Sequence, residues 1–267
     1  MTSRIPYETC PLCGSRSFSK ILEANCTLHP LYNPILEPVM AWMACADCGH
    51  VFTDGYFTDA AAEVVFSRVL DYQAVGWDME KQRAIFSPIV ERVARHVAGP
   101  AAGPGAGDVW LDVGFGNASL LFTAMEYGFT PVGADLRRDN VQTLISAGIE
   151  GHCIDITKFD QNGRYAVISM ADVLEHMPYP RAGLDAAHRL LRPDGILFLS
   201  MPNADCPLWR ALTAQQANPY WGELEHFHNF GRARLYQLLE AQGFRPLHYT
   251  ISQRYRVGME IIARRVA

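Results

Sequence analysis

One stretch near the middle of the chain, VWLDVGFGNAS at residues 109–119, constrains the fold more than any other. Its apolar first half predicts a buried strand ending at Asp112, and Gly114 and Gly116 follow at once. Apolar residues at helical spacing then continue to Met125. Glycine lets a backbone turn sharply and approach a ligand closely. The stretch therefore predicts a strand, a tight turn and a helix, with a ligand at the turn.

The residues around the turn indicate which kind of ligand it takes. Dinucleotide-binding folds use GxGxxG, with a pyrophosphate over the helix N-terminus. Here Ser119 stands at the third glycine position, and Asp112 lies two residues before the first glycine. A carboxylate there would repel a pyrophosphate and attract an ammonium group. We therefore expect a nucleoside with a cationic end, and NAD-dependent oxidoreduction is the disfavoured alternative.

The segment LDVGFGNAS resembles the first motif of class I S-adenosylmethionine (SAM) dependent methyltransferases. The resemblance implies an α/β fold with a Rossmann-like seven-stranded mixed sheet of order 3-2-1-4-5-7-6. The later motifs follow in the family's order and spacing. Asn117 stands where many members carry another glycine. The turn residues that the resemblance assigns to SAM are Asp112, Gly114, Phe115, Gly116 and Asn117.

Asp135 ends the next predicted strand, PVGAD, roughly 20 residues after the first glycine. An acidic side chain at this point can accept hydrogen bonds from both ribose hydroxyls, and Leu136 follows it into the same site. Aspartate is also a good helix cap, so capping of the following helix is the alternative.

Two further strand ends complete the SAM site that the resemblance implies. Asp155 would accept from the adenine amine, with the backbone NH of Ile156 meeting the ring, although Asp155 could instead cap its loop. Residues 165–170 predict a buried strand, and residues 171–176 would then pass beneath the methionine end of SAM, which assigns Met170 and Ala171 to the cofactor.

Four cysteines form the pairs CPLCG and CADCG: Cys10, Cys13, Cys45 and Cys48. Four thiolates from two tight turns suit tetrahedral Zn²⁺ in a structural site, which leaves no open position for catalysis. Residues 14–44 separate the pairs by more than the usual finger spacing, so we expect an extra hairpin between them. Disulfides or separately buried cysteines are the alternative.

Pattern and composition divide the chain into three parts. We predict a zinc-ribbon-like module over residues 1–55, a helical lid or connector with its linker over 56–107, and a methyltransferase domain over 108–267. Helical spacing begins near Phe52, and the Gly/Pro/Ala stretch at 98–108 marks the clearest boundary. Further on, RAGLDAAHRLLRPDG predicts a helix stopped by Pro193 and Gly195, and two strand-like runs predict a closing hairpin.

Three histidines are candidate catalytic residues. Methyl transfer from a sulfonium is an in-line displacement, and a hydroxyl or activated carbon that accepts the methyl also needs a base. His176 lies in VLEHMP, while His226 and His228 lie in WGELEHFHNF, which resembles an EH-x-x-x-F element of small-molecule methyltransferases. Histidine suits this role because its pKa is near neutrality. Structural or substrate-positioning roles are the alternatives.

Charge and hydropathy limit the partners. The formal net charge of -5 has no long basic run, which disfavours nucleic acid. No apolar run approaches the ~18 residues of a membrane span. The N-terminus lacks the features of a signal peptide, so we expect a cytoplasmic protein.

The expected function is methyl transfer from SAM to the oxygen or carbon of a small-molecule acceptor, such as a sugar, a polysaccharide precursor or a natural product. The segment SMAD lacks the NPPY of enzymes that methylate the amines of bases, which disfavours that reaction. An RNA or protein methyltransferase that docks its substrate on the zinc module is one alternative. A non-catalytic SAM-binding protein is another.

Overall fold

The computed structural model describes residues 2–97 and 107–266. In the N-terminal part these form β1 (Arg4–Pro6), β2 (Phe18–Asn25), β3 (Val39–Cys45), β4 (Val51–Thr53), β5 (Gly55–Phe57), α1 (Asp59–Phe66) and α2 (Met79–Val97). The remainder forms β6 (Val109–Val113), α3 (Ser119–Glu126), β7 (Thr130–Asp135), α4 (Arg138–Ser146), β8 (Glu150–Cys153), β9 (Tyr165–Ala171), α5 (Pro180–Leu190), β10 (Leu191–Pro202), α6 (Pro207–Ala214), β11 (His228–Asn229), α7 (Arg232–Ala241), β12 (Phe244–Ile251) and β13 (Gly258–Arg265).

Seven strands form the larger sheet, in the order β8-β7-β6-β9-β10-β13-β12. The first five strands in this order, from β8 through β7, β6 and β9 to β10, are parallel. Strand β13 is antiparallel to both β10 and β12. Numbered within the sheet, this is the order 3-2-1-4-5-7-6, so the predicted fold class and the closing hairpin are confirmed.

Helices cover both faces of this sheet. On one face, Phe86 and Val90 of α2 and Leu120 of α3 pack with Trp110 of β6. On the other face, Leu184 of α5 and the apolar residues of α7 pack against the central strands. These layers leave the carboxyl ends of the parallel strands as the edge where the loops meet.

The helix predicted to stop at Pro193 and Gly195 ends earlier, at Leu190. The segment LRPDG instead opens β10, whose pairing with β9 shifts register between Leu191 and Ile196. Asp194 has a φ of 60° at this irregularity. A proline and a left-handed residue can begin a strand where a bulge interrupts the ladder, so they did not have to mark the end of the helix.

A second sheet, ordered β11-β4-β3-β2, belongs to the N-terminal module. Strands β2 and β3 form the hairpin predicted between the cysteine pairs. The helical pattern expected from Phe52 begins only at Asp59, because residues 51–57 form β4 and β5. Strand β5 also crosses the division predicted between residues 55 and 56, and it pairs with β1.

The N-terminal module packs against the loop that precedes α7. Strand β11 of that loop pairs with β4, and the Trp42 indole NH donates to the Trp221 carbonyl at 2.8 Å. Leu224 and Phe227 join the apolar cluster of the module. Residues 98–106 of the predicted linker lie outside the described residues. Among the described helices, none has the length and apolar character needed to cross a membrane.

Candidate active site

A cavity of about 390 Å³ lies at the carboxyl ends of β6, β7 and β9. This edge of an α/β sheet is where such folds bind ligands. One side of the cavity is formed by the turns that follow these strands, and the other by the N-terminal module and the loop containing β11. The residues from the strand ends that line it are Val113, Gly114, Ala134, Asp135, Leu136, Arg137, Ile154, Asp155, Ile156, Asp172 and Val173.

Asp135 presents an unpaired carboxylate oxygen to this cavity. Asp135 is only 4% exposed, and its Oδ1 accepts from the backbone NH of Arg137 at 2.8 Å and from Nε of the same residue at 3.1 Å. Oδ2 is buried without a hydrogen-bond partner. Helix α4 begins at Arg138 with Arg137 as its N-cap, so the alternative of helix capping by Asp135 is not what the structure contains. An unpaired buried acceptor beside a cavity can accept from a ligand hydroxyl, and the ribose assignment stays a prediction.

Gly114 is where the turn comes closest to its neighbours. It lines the cavity with a φ of 64°, and a Cβ placed there would lie 2.7 Å from Cγ2 of Val173. Left-handed backbone is costly for other residues, and this contact leaves no room for a methyl group. The glycine is thus required both for the turn and for the shape of the cavity.

We expect Gly114→Ala to weaken binding of S-adenosylhomocysteine (SAH) at least tenfold, because Val173 must move within the cavity wall. Isothermal titration calorimetry measures this affinity. Gly148→Ala is the matched control, since Gly148 has a φ of 83° and no neighbouring atom within 4 Å of an added Cβ. Both variants carry the backbone cost, so equal affinities would contradict the assigned role of Gly114.

The structure corrects the part assigned to Asp112. Its side chain is buried beneath the turn, outside the cavity lining, and its Oδ1 accepts from the Ser169 hydroxyl at 2.5 Å. Burial raises the pKa of Asp112 to about 7. Asp112 therefore connects β6 to β9 and is not part of the cavity wall. The Phe115 ring likewise packs with Leu121 and Leu144 in the core.

Hydrogen bonds connect Gly116 and Asn117 to the loop that contains Tyr72 and Gln73. The Asn140 side chain donates to the carbonyls of Gly116 and Gln73, and the Asn117 amide donates to the carbonyl of Tyr72. The Asn117 side chain also accepts from the NH of Ser119 at the start of α3. Neither Gly116 nor Asn117 lines the cavity, whereas Gln73 does.

The predicted adenine side is partly assembled. Leu136, Asp155 and Ile156 line the cavity. Oδ1 of Asp155 accepts from the Thr157 backbone NH and hydroxyl, each at 2.8 Å, so the alternative of loop capping also occurs. Met170 and Ala171 end β9 and lie outside the cavity lining, while the next residue, Asp172, belongs to it.

The charge of the cavity is predominantly acidic. Its lining contains the carboxylates of Asp59, Asp135, Asp155, Asp172 and Glu225 against the guanidinium groups of Arg68 and Arg137. Negative walls favour a cationic ligand over a diphosphate. The expected preference for a cationic ligand, first argued from Asp112, therefore rests on these carboxylates instead.

His176 and His226 lie together beside this cavity. Their rings meet edge to face with centroids 4.7 Å apart, and His176 lines the cavity. The Nδ1 of His176 lies 3.0 Å from the Glu225 carbonyl, and the Nδ1 of His226 is buried without a partner. Burial lowers the pKa of His226 well below its usual value, which keeps the imidazole neutral. Buried Glu175 completes a cluster with these two rings.

His228 is placed differently from the other two candidates. It is 1% exposed, its Nδ1 contacts Nε2 of His50 at 3.0 Å, and its Nε2 contacts the Met177 carbonyl at 2.9 Å. Burial lowers its pKa to about 4. With both nitrogens engaged and no place in the cavity lining, His228 joins the N-terminal module to the rest of the chain and is not a base for the acceptor.

The four paired cysteines converge in the N-terminal module. Sγ of Cys10 lies 3.7 Å from that of Cys48, and Sγ of Cys13 lies 3.6 Å from that of Cys45. These separations are too long for disulfide bonds. They match the sulfur spacing of about 3.8 Å that a tetrahedron with Zn–S bonds of about 2.3 Å requires. The donor set fits a structural zinc ion.

Several residues of the site were missed from the sequence. Asp172 has a φ of 57°, and its carboxylate accepts from Arg254 and from the Tyr255 hydroxyl, each at 2.8 Å. Both partners come from the loop between β12 and β13, which no local motif connects with Asp172. Glu175 had a visible signal, an acidic residue in the apolar run VLEHM. The apolar wall from the N-terminal part contains Leu31, Tyr56, Phe57, Ala62, Val65 and Phe66.

Comparison with known proteins identifies the family. Residues 80–249 match the family model described as "Methyltransferase domain". The ubiquinone biosynthesis O-methyltransferase of Nitrosococcus oceani is 30% identical over 169 residues, covering 57% of this chain and 72% of that protein. The Klebsiella pneumoniae protein of the same name is 26% identical over 165 residues, covering 57% and 67%.

A solved structure of similar fold is the 1,6-didemethyltoxoflavin-N1-methyltransferase of Burkholderia thailandensis with 1,6-didemethyltoxoflavin and SAH bound. Its TM-score is 0.54 at 21% identity, covering 72% of this chain and 83% of that one. Fold and sequence together define the class as SAM-dependent methyltransferases. This chain belongs to the Methyltransferase domain family.

Proposed function

We propose that the protein transfers the methyl group of SAM to a hydroxyl of a small apolar or aromatic molecule. The observation that carries this proposal is the continuity of one cavity. Its strand-end side offers the unpaired Oδ2 of Asp135, and its opposite side joins His176 to an apolar wall. Donor and acceptor can therefore meet in one enclosure, which is the proximity that a displacement reaction needs.

The apolar wall argues for the kind of acceptor. The rings of Tyr56, Phe57 and Phe66 and the side chain of Leu31 line this part of the cavity. Such surfaces favour flat or apolar molecules, with a few polar groups fixing their orientation. The curated relatives are named as O-methyltransferases of ubiquinone biosynthesis, which supports oxygen as the accepting atom.

SAM supplies an electrophilic methyl group when it is bound. We assign its ribose to Asp135, the adenine side to Leu136, Asp155 and Ile156, and the methionine side to the Gly114 turn. The residues around Asp172 and His176 then face the acceptor. The hydroxyl proton must leave as the new bond forms, and we assign this task to the neighbouring imidazoles of His176 and His226.

We expect His176→Ala to lower turnover by roughly 10²- to 10⁴-fold, the usual contribution of a group that handles a proton. SAH affinity should stay within about twofold, because Asp135 and the glycine turn are untouched. His188→Ala is the control, since its Nε2 contacts the Val266 carbonyl and the residue does not line the cavity. Unchanged turnover in His176→Ala would remove this assignment.

His228→Ala should act on stability instead. It leaves the ring of His50 and the carbonyl of Met177 without their buried partner, which costs about 1–3 kcal/mol. A denaturant titration followed by circular dichroism measures this loss. Turnover per folded molecule should remain within a few-fold of the wild type. A selective loss of turnover at full stability would return His228 to the list of candidate bases.

The function is tested with a panel of small phenols, enols, sugars and aliphatic alcohols and with SAM carrying a deuterated methyl group. Mass spectrometry detects the labelled product, and fragmentation identifies the methylated atom. A phenol or enol methylated on oxygen would support the proposal. Label found only on carbon or nitrogen, or SAH binding with no product from any acceptor class, would overturn it.

A further inference from the structure

Three side chains beside the cavity form an unsatisfied cluster. Glu175, His176 and His226 each offer a ligand atom, and these atoms lie within 4.8 Å of one another. Both carboxylate oxygens of Glu175 and the Nδ1 of His226 are buried without a hydrogen-bond partner. Glu175 is 1% exposed. Because buried polar atoms without hydrogen-bond partners are expensive, this cluster calls for an occupant that satisfies several acceptors at once.

The electrostatics around the cluster favour a cation. Asp172 and Glu225 are the negative neighbours of Glu175, and Arg254 is a positive neighbour. Arg254, however, bonds the Asp172 carboxylate at 2.8 Å and the Ser200 hydroxyl at 3.2 Å, and no bond from it to Glu175 is formed. A small divalent ion would neutralise the excess of carboxylates and accept the free lone pairs.

The orientation of His176 supports the same conclusion. Its Nδ1 lies 3.0 Å from the Glu225 carbonyl, so this nitrogen carries the hydrogen and Nε2 carries the free lone pair. A backbone carbonyl on one ring nitrogen is the usual support for a histidine that binds metal through the other. The buried, unpartnered Nδ1 of His226 offers a second imidazole lone pair to the same ion.

We propose that Glu175, His176 and His226 bind a divalent cation, and that the acceptor hydroxyl is a further ligand of this ion. Two imidazoles and one carboxylate suit Mn²⁺, Fe²⁺, Co²⁺ or Zn²⁺, whereas the four thiolates of the N-terminal module select zinc. His176 faces the cavity, so coordination positions on that side are open to a substrate.

The catalytic part of this inference rests on the proposed O-methylation. Coordination lowers the pKa of a hydroxyl, so its proton passes to water at neutral pH. The oxygen then forms the new C–O bond as the C–S bond of SAM breaks, and the electron pair of that bond stays on sulfur. The task assigned to the two imidazoles would then be performed through the ion that they hold.

Mn²⁺ is the probe, because it prefers nitrogen and oxygen ligands and leaves the thiolate site to zinc. The full chain, with zinc in its cysteine site, is titrated with Mn²⁺ while electron paramagnetic resonance measures the free ion. We expect one bound Mn²⁺ per chain, with ¹⁴N coupling in the pulsed spectrum from the imidazoles. Glu175→Gln and His226→Ala should each weaken this binding at least tenfold.

Glu150→Gln is the matched control, since Glu150 is partly exposed and pairs with Arg164 away from the cavity. Circular dichroism and SAH affinity verify that each variant is folded. Absence of stoichiometric Mn²⁺, absence of ¹⁴N coupling, or equal affinity in Glu175→Gln would overturn the site. Mn²⁺ binding without any O-methylated product would leave the site standing and remove the proposed function. O-methylation that Glu175→Gln leaves unchanged would keep the proposed function and remove the catalytic role of the ion.

Discussion

Replacing Cys45 by serine is expected to release zinc from the N-terminal module and to lower the melting temperature by at least roughly 10 °C. Structural zinc contributes on the order of 10 kcal/mol to the folding of small modules, and a melting temperature shifts by about 2–4 °C per kcal/mol in a chain of this size. Cys45 also ends β3, so the loss reaches the centre of the smaller sheet. Elemental analysis and calorimetry measure the two effects.

Turnover should fall with the zinc, although no cysteine of this group lines the cavity. Leu31 of the module and Tyr56 and Phe57 of the adjoining β5 form part of the acceptor wall, and β4 supports β11 beside Phe227. SAH affinity should change much less, since its assigned residues lie on the larger sheet. Cys153→Ser is the control, because Cys153 is exposed and outside the cluster. A Cys45→Ser chain with a full zinc content would contradict the four-cysteine site.

The second large effect is expected at Asp135. Asp135→Ala should weaken SAH binding roughly 100-fold, equivalent to about 2.7 kcal/mol, because the two hydrogen bonds to a charged acceptor are lost. Asp135→Asn keeps one acceptor oxygen, so its SAH affinity should lie between those of Asp135→Ala and the wild type. Turnover at saturating SAM should largely recover in both, since the acceptor side is unchanged.

Asp139→Asn is the matched control for this series, because Asp139 is exposed in the first turn of α4, the helix that follows Asp135. It should leave the SAH affinity within about twofold of the wild type. If Asp135→Ala bound SAH as tightly as Asp139→Asn, the unpaired Oδ2 would have another purpose and the ribose assignment would fail.

The sheet was predictable because its signals are local. Strands β6 and β9 and the second half of β10 are largely apolar runs, and the turn after β6 requires glycine at a φ of 64°. The order of strands followed from the resemblance of these motifs to a family. The four-cysteine zinc site was also predictable, because two CxxCG turns can place four sulfur atoms around one ion.

The parts of the site that were misread depend on contacts between distant residues. The pairing of β6 with β9 places Asp112 opposite Ser169, and the sequence alone does not give the register of that pairing. His226 and His228 are two residues apart, yet one ring meets His176 and the other meets His50. Residues two apart on one strand would share a face, but β11 begins only at His228, and His226 lies in the turn that precedes it. Composition and spacing alone therefore could not separate them.

The pairing of β4 with β11 has a consequence for how this chain is made. Residues 51–53 leave the ribosome long before residues 228–229, so the outer edge of the small sheet has no partner until most of the polypeptide has been synthesised. An open edge of this kind can pair with another molecule. A chain that ends before residue 228 lacks the partner of β4, and we expect such truncated products to self-associate more readily than the full-length chain.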